Sequence, residues 1–297
     1  MKTEVAILAA LALGAYSAHA DTFTGAINND YQTSGNWTLG VVPDTANGAT
    51  ATINGGQAVT YNPGGDFYVG KGGTLEIANG SWTQINVGAW IQMRGGTILV
   101  DGGTFNQGTA SSNPFNLDGT TGNAFTITSG VANFSYNVNV NSGLTFSIQG
   151  GTVNSLTHEF DFNNNALFMS GGTLNTTLIT GINSGGAGIF TLSGGVINLS
   201  NPFGIYAGGP TEPVNFTVGS TAVINFNGGT SLSTVQNMVA AGVIEYNGTI
   251  DSTFSDFNIT ESGGTVSVQL ATVPEPSVLA VIATGAAGLL MFRRRRG

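Results

Sequence analysis

Five times between residues 67 and 198 the chain returns to one short unit: an alternating apolar segment, a glycine-containing bend and a second alternating segment. Residues 67–83 align without a gap on 90–106, an offset of 23. That offset sets Lys71 on Arg94, Gly72-Gly73-Thr74 on Gly95-Gly96-Thr97, Ile77 on Val100, Gly80 on Gly103 and Trp82 on Phe105. The unit recurs at 146–154, 167–175 and 190–198, at spacings of 21 and then 23. Each copy reads as two short strands joined through a glycine that permits positive φ.

One such unit cannot bury its own apolar face, so a period of this length made of strands and glycine bends predicts stacked coils, a parallel β-helix or β-solenoid. The fold class is therefore all-β, with coils of about 20–24 residues, and about eleven of them at the ~4.8 Å strand spacing would make a rod of roughly 50 to 55 Å. Asn106, Asn133, Asn154, Asn175 and Asn198 each fall three residues after a glycine of the bend. Stacked amides could bond one another up the rod; alternatively, asparagine is simply a good turn residue. Residues 231–241 read as one short helix in an insertion or cap, and terminal coils of solenoids are often atypical.

The two ends differ from the body. Residues 1–20 read as a secretory signal peptide, with Lys2, an apolar stretch over 5–15, and Ala18-His19-Ala20 as the cleavage site before Asp21, against the simpler reading of an N-terminal core helix. At the other end Val273-Pro274-Glu275-Pro276 precedes an uncharged apolar run over 277–292 and then Arg293, Arg294, Arg295 and Arg296. That run is long enough for a short transmembrane helix. The arginines after it would stay cytoplasmic, which places the body across the membrane. The plain alternative is an ordinary tail anchor, with prolines that stop a strand and start a helix.

The motif, span and arginine cluster together resemble the PEP-CTERM family of exported bacterial proteins, and the resemblance covers residues 273–297. It implies a Gram-negative host that makes exopolysaccharide, and processing by an exosortase, a membrane-embedded cysteine transpeptidase-like enzyme. Pro274, Glu275 and Pro276 would be the recognised residues, with the span and arginines lost on maturation. The opening of the body, with Gly35-Asn36-Trp37 and the segment 49–53, more loosely resembles autotransporter-like β-strand repeat proteins, in which a tryptophan-bearing strand caps the first coils. The domains are then 1–20 signal peptide, 21–271 β-solenoid and 272–297 sorting signal.

Between the ends only Lys71 and Arg94 are basic against fourteen of the sixteen acidic residues, a formal charge of −12. Such a body repels phosphate backbones, which argues against nucleic acid as a partner. With no cysteine, an exported chain must hold itself together by pairing and stacking rather than by disulfides.

Candidate chemistry is thin. His158-Glu159-Phe160-Asp161-Phe162 would put Glu159 and Asp161 on one strand face about 7 Å apart, a spacing at which carboxylates can act on a glycosidic bond. No cluster of basic residues accompanies them, so a solvated strand face is the better reading. Arg94, the lone body arginine, aligns with Lys71 and reads as a surface stack rather than a catalytic base. Asp66, Glu76, Asp101 and Asp118 are scattered and match no calcium loop, so neither metal nor cofactor is expected. The glycines around Lys71 precede no helix that could aim amides at a phosphate. The sequence thus points to a non-enzymatic structural or adhesive protein of the envelope or extracellular matrix. Its expected partners are an exosortase, the membrane through the C-terminal span, and exopolysaccharide; the alternative is a β-helix polysaccharide lyase or glycosidase.

Overall fold

The computed structural model describes residues 19–271 apart from 63, 86–88, 109–114, 118–121, 137, 141–143, 158–159, 162–165, 181–188, 202–212 and 252. The signal helix and the C-terminal span foreseen in the sequence lie outside the described residues, and no described helix is long and apolar enough to cross a membrane.

The body is a parallel β-solenoid. Its long wall runs in order through Ala20–Thr22, Thr50–Ile53, Thr74–Ile77, Thr97–Asn106, Asn123–Asn133, Leu144–Ile148, Ala166–Thr176, Ile189–Leu199 and Val223–Phe226, all paired in parallel. A second wall stacks the short strands Phe67–Gly70, Ile91–Arg94, Phe115–Leu117, Val138–Val140, Phe160–Asp161 and Ile179–Thr180, so both walls are described together over about five turns. The long wall folds at the glycine bend, giving each coil two strand segments on that side and a third on the other.

The register explains the coil lengths. Thr50 pairs with Thr74, Thr74 with Thr97, Thr97 with Ala124, Asn123 with Leu144, Thr145 with Ala166, Ala166 with Ile189 and Val196 with Val223. Successive coils thus take 24, 23, 27, 21, 21, 23 and 27 residues, wider than the 20–24 read from the repeat, and the extra residues leave the walls in step. The expectation of about eleven coils is corrected to ten parallel layers among the described residues, the last being Ile244–Tyr246, which pairs with Val214–Phe216 beside Val223–Phe226. At ~4.8 Å per layer they rise by about 43 Å. The remaining chain went into caps: residues 23–47 form short turns, and beyond Phe226 come a helix, the strand Ile244–Tyr246 stacked in parallel on Val214–Phe216, and the strand Phe257–Ser262.

Alternation drives the packing. Inward residues form continuous columns: Ile53, Ile77, Val100, Ile127, Ile148, Met169, Leu192 and Phe216 in one, and Val59, Trp82, Phe105, Ala132, Val153, Leu174, Ile197 and Ile224 in the next, all buried. Large rings fill the wide early coils, where Trp82 lies parallel to Phe105 at 5.3 Å between ring centres and is met by Phe67 at 4.9 Å. Gly130 shows why the bend needs glycine. Its φ is +87°, and a Cβ there would overlap the carbonyl oxygen of Gly103 in the coil below.

Both ends are closed. At the start Trp37 follows the 3-10 turn Ser34–Asn36 and makes a single antiparallel bridge to Phe23, so it caps the first coils from a turn and not from a strand as the family likeness implied. Its ring is buried against Phe23 and Tyr31, and its indole N–H donates to the Tyr31 carbonyl at 2.8 Å. At the far end Thr265–Leu270 pairs antiparallel with Val223–Phe226 on one side and with Phe257–Ser262 on the other. The foreseen helix is Leu232–Ala240; the Ser231 hydroxyl caps it by accepting from the Thr234 amide at 3.2 Å, and Val235, Met238 and Val239 point into the core.

Candidate functional site

The outward columns of the long wall are what the solenoid presents. Glycine bends of equal size keep matched residues over one another, so the asparagine repeat becomes a ladder. Asn106 donates from its amide to the Thr83 hydroxyl at 3.0 Å. Asn133, Asn154, Asn175 and Asn198 each donate to the Oδ1 of the asparagine one coil below, at 2.8 Å throughout. Asn225 donates to Asn198 at 2.9 Å, and Ser267 completes the row by donating to Asn225 at 2.8 Å. Every bond points the same way, an arrangement in which neighbouring bonds polarise one another. The five asparagines foreseen are in the ladder. Thr83, Asn225 and Ser267 were missed: Asn225 has no glycine three residues before it, and the other two are different residue types filling the same register.

On the other side of the bend the register aligns Thr52, Glu76, Leu99, Thr126, Ser147, Phe168, Thr191 and Asn215. Asp101 lies at the bend and accepts from Thr128 Oγ1 at 2.6 Å and Ser129 Oγ at 3.2 Å. The face is therefore mostly hydroxyl and amide, half exposed, with charge at wide intervals.

Lys71 and Arg94 do not stack, contrary to the sequence alignment. Gly70, not Lys71, pairs with Arg94, because the corner before Thr74 takes one residue more than the corner before Thr97, with Lys71 itself at φ +50°. Lys71 Nζ turns to Asn47 Oδ1 at 2.6 Å, while Arg94 lies 4.3 Å from the Tyr68 ring centre and donates to Gln92 Oε1 at 2.8 Å. A compact polar node forms beside them. Asp66 accepts from the Trp90 amide at 2.9 Å, the Gln92 side chain at 2.5 Å and the Tyr68 hydroxyl at 3.2 Å. Burial, then the charges of Asp66 and Tyr68, push the Tyr61 phenol up to about 12.

His158 and Glu159 lie outside the described residues, as does Asp118. Asp161 falls in Phe160–Asp161, three strand positions along the second wall from Ile91–Arg94. At ~4.8 Å per step the backbones that carry Asp161 and Arg94 are about 14 Å apart. Among the described residues no three His, Cys, Asp or Glu side chains group as a metal site.

Of the terminal signals, Ala18, Pro274, Glu275, Pro276 and Arg293 to Arg296 are outside the described residues. Ala20 and Asp21 lie in Ala20–Thr22, where Ala20 pairs with Thr50, Asp21 with Ala51 and Thr22 with Thr52. The Asp21 carboxylate is buried and accepts from the Thr22 amide at 2.8 Å, the Leu39 amide at 3.1 Å and the Thr38 hydroxyl, fastening the first strand to the cap. At the other end hydrogen bonding continues to Ala271, whose amide donates to the Asp256 carbonyl at 2.8 Å.

Residues 272–296 match the family described as the PEP-CTERM protein-sorting motif. That match implies exosortase-dependent sorting of an exported, envelope-associated protein of a Gram-negative bacterium. No curated protein and no solved structure matches the chain.

Proposed function

We propose that this chain is the precursor of a non-enzymatic envelope or matrix rod. Its N-terminal signal is removed after Ala20, and its tail is recognised at Pro274, Glu275 and Pro276 and processed by an exosortase, with loss of the span and of Arg293 to Arg296. The rod adheres to exopolysaccharide through its outward threonine, serine and asparagine columns. The observation that carries this reading is the register itself: hydroxyls and amides recur coil after coil on a wall with little charge, which suits many weak hydrogen bonds to a sugar polymer. Cleavage before Asp21 keeps the pairs of Asp21 with Ala51 and Thr22 with Thr52, so the first layer survives maturation.

The β-helix lyase or glycosidase remains the second reading. Weighing against it is the separation of the strands that carry Arg94 and Asp161. Mass determination of the protein from its native host tests sorting: a C-terminus near Pro276 supports it, and an intact arginine end refutes it. Incubation of the purified body with neutral and acidic polysaccharides tests the rest. Binding without cleavage is expected, and cleavage lost in Asp161→Ala would replace the structural reading with the enzymatic one.

A further inference from the structure

The body leaves the sorting motif almost no slack. Leu270 is the last residue of a strand hydrogen-bonded on both sides, and Ala271 is still tied to Asp256. Pro274 follows three residues later, and at ~3.3–3.6 Å per fully extended residue the motif begins within about 11 Å of Ala271. Freeing more chain would mean stripping Thr265–Leu270 from Val223–Phe226 and from Phe257–Ser262 together. Any protein that grips residues 274–276 therefore touches the folded end of the solenoid.

That end carries a cleft of about 320 Å³ beside the exit point, lined by Ser220, Tyr246, Ser255, Asp256, Leu270 and Ala271. Tyr246 and Leu270 are half-buried in it, amid hydroxyls and a carboxylate. Resting on the sorting reading above, we propose that this cleft is a second docking surface for the processing enzyme. It accepts an extracytoplasmic loop with an apolar side chain flanked by hydrogen-bond donors, so the enzyme reads the finished fold and the motif together. A protein partner is favoured over the bilayer surface, because a body of formal charge −12 is repelled by anionic lipid.

The test is pulse-labelled processing of the full-length precursor in a host that holds the enzyme. Three variants are compared with the parent: ten Gly/Ser residues inserted after Ala271, Ser255→Trp to fill the cleft, and both changes together. The insertion lengthens the connector from three Cα steps to thirteen, and the −3/2 power of that ratio lowers the effective concentration of the cleft about nine-fold. Slowing of up to that factor is expected for the insertion, similar slowing for Ser255→Trp, and no further loss when they are combined. An insertion variant processed as fast as the parent, or faster, overturns the proposal. So does slowing by the insertion alone, which would assign the effect to distance from the bilayer. Pro274→Ala with Glu275→Ala is the separate control: normal processing there would defeat the sorting reading itself, whatever the cleft variants do.

Discussion

Replacing Asn154 by alanine removes two ladder bonds at once, its own donation to Asn133 and the one it receives from Asn175, each 2.8 Å long. A net hydrogen bond is worth about 0.5–1.5 kcal/mol, so the loss should be about 2 kcal/mol, kept from rising further because the row is only part-buried and water can reach the orphaned groups. The pattern of coupling is a sharper test than the size. Asn133 and Asn154 share one bond, so the two alanine substitutions together lose three bonds rather than four, and a double-mutant cycle should return about 1 kcal/mol. Asn106 and Asn198 share none, and their effects should add within about 0.5 kcal/mol. Urea unfolding followed by fluorescence and circular dichroism supplies the numbers wherever the two transitions coincide, a condition that long repeat stacks do not always meet. A cost below about 0.5 kcal/mol for Asn154→Ala, or equal coupling in the adjacent and distant pairs, would mean that the asparagines are turn residues and not a ladder.

Trp82→Ala should cost about 3–5 kcal/mol in the same assay, because it empties the stack between Phe67 and Phe105. Trp82→Phe should cost under about 1.5 kcal/mol, since it also removes an indole N–H that is buried without a partner. Gly130→Ala should destabilise by about 1–3 kcal/mol through its left-handed φ alone, with the overlap on Gly103 added; a neutral result would refute the close approach of the coils. For Asp251, burial works to raise the carboxyl, but it is outweighed by hydrogen bonds from the Asp256 amide, the Thr253 hydroxyl and amide and the Ser255 hydroxyl, so the group sits below its ordinary value. Its contribution is therefore fully present above the unfolded aspartate value and disappears as pH falls through the lower folded one; stability of Asp251→Asn should depend less on pH in that acid window.

The wall that repeats was legible because its signals are local. Alternation marks which residues of 97–106 or 166–176 face inward, and a glycine at a constant position fixes where Asn106 and Asn175 must stand. The second wall was legible only where the aligned repeat covers it, at Phe67–Gly70 and Ile91–Arg94; strands such as Phe160–Asp161 and Ile179–Thr180 are two residues long and exist only through their neighbours. The Lys71 and Arg94 pairing failed for a related reason. A gapless alignment cannot see that one corner holds an extra residue, and φ at Lys71 records where that residue went. The caps depend on partners distant in sequence, Asp21 with Thr38 or Phe226 with Val266, which no repeat announces. The polar node at Asp66 was hidden likewise, since an isolated aspartate gives no sign that Trp90 and Gln92 will converge on it.

The reversal of strand direction over part of each extremity bears on how such a molecule can associate. Every internal layer is a template for another layer running the same way, and a stack left open would recruit copies of itself in proportion to concentration. The Phe23 to Trp37 bridge at one extremity and the Phe257–Ser262 strand at the other offer mismatched polarity in place of that template. Over those strands a further copy could not simply continue the stack in the same direction, so growth by plain extension of the wall is disfavoured there.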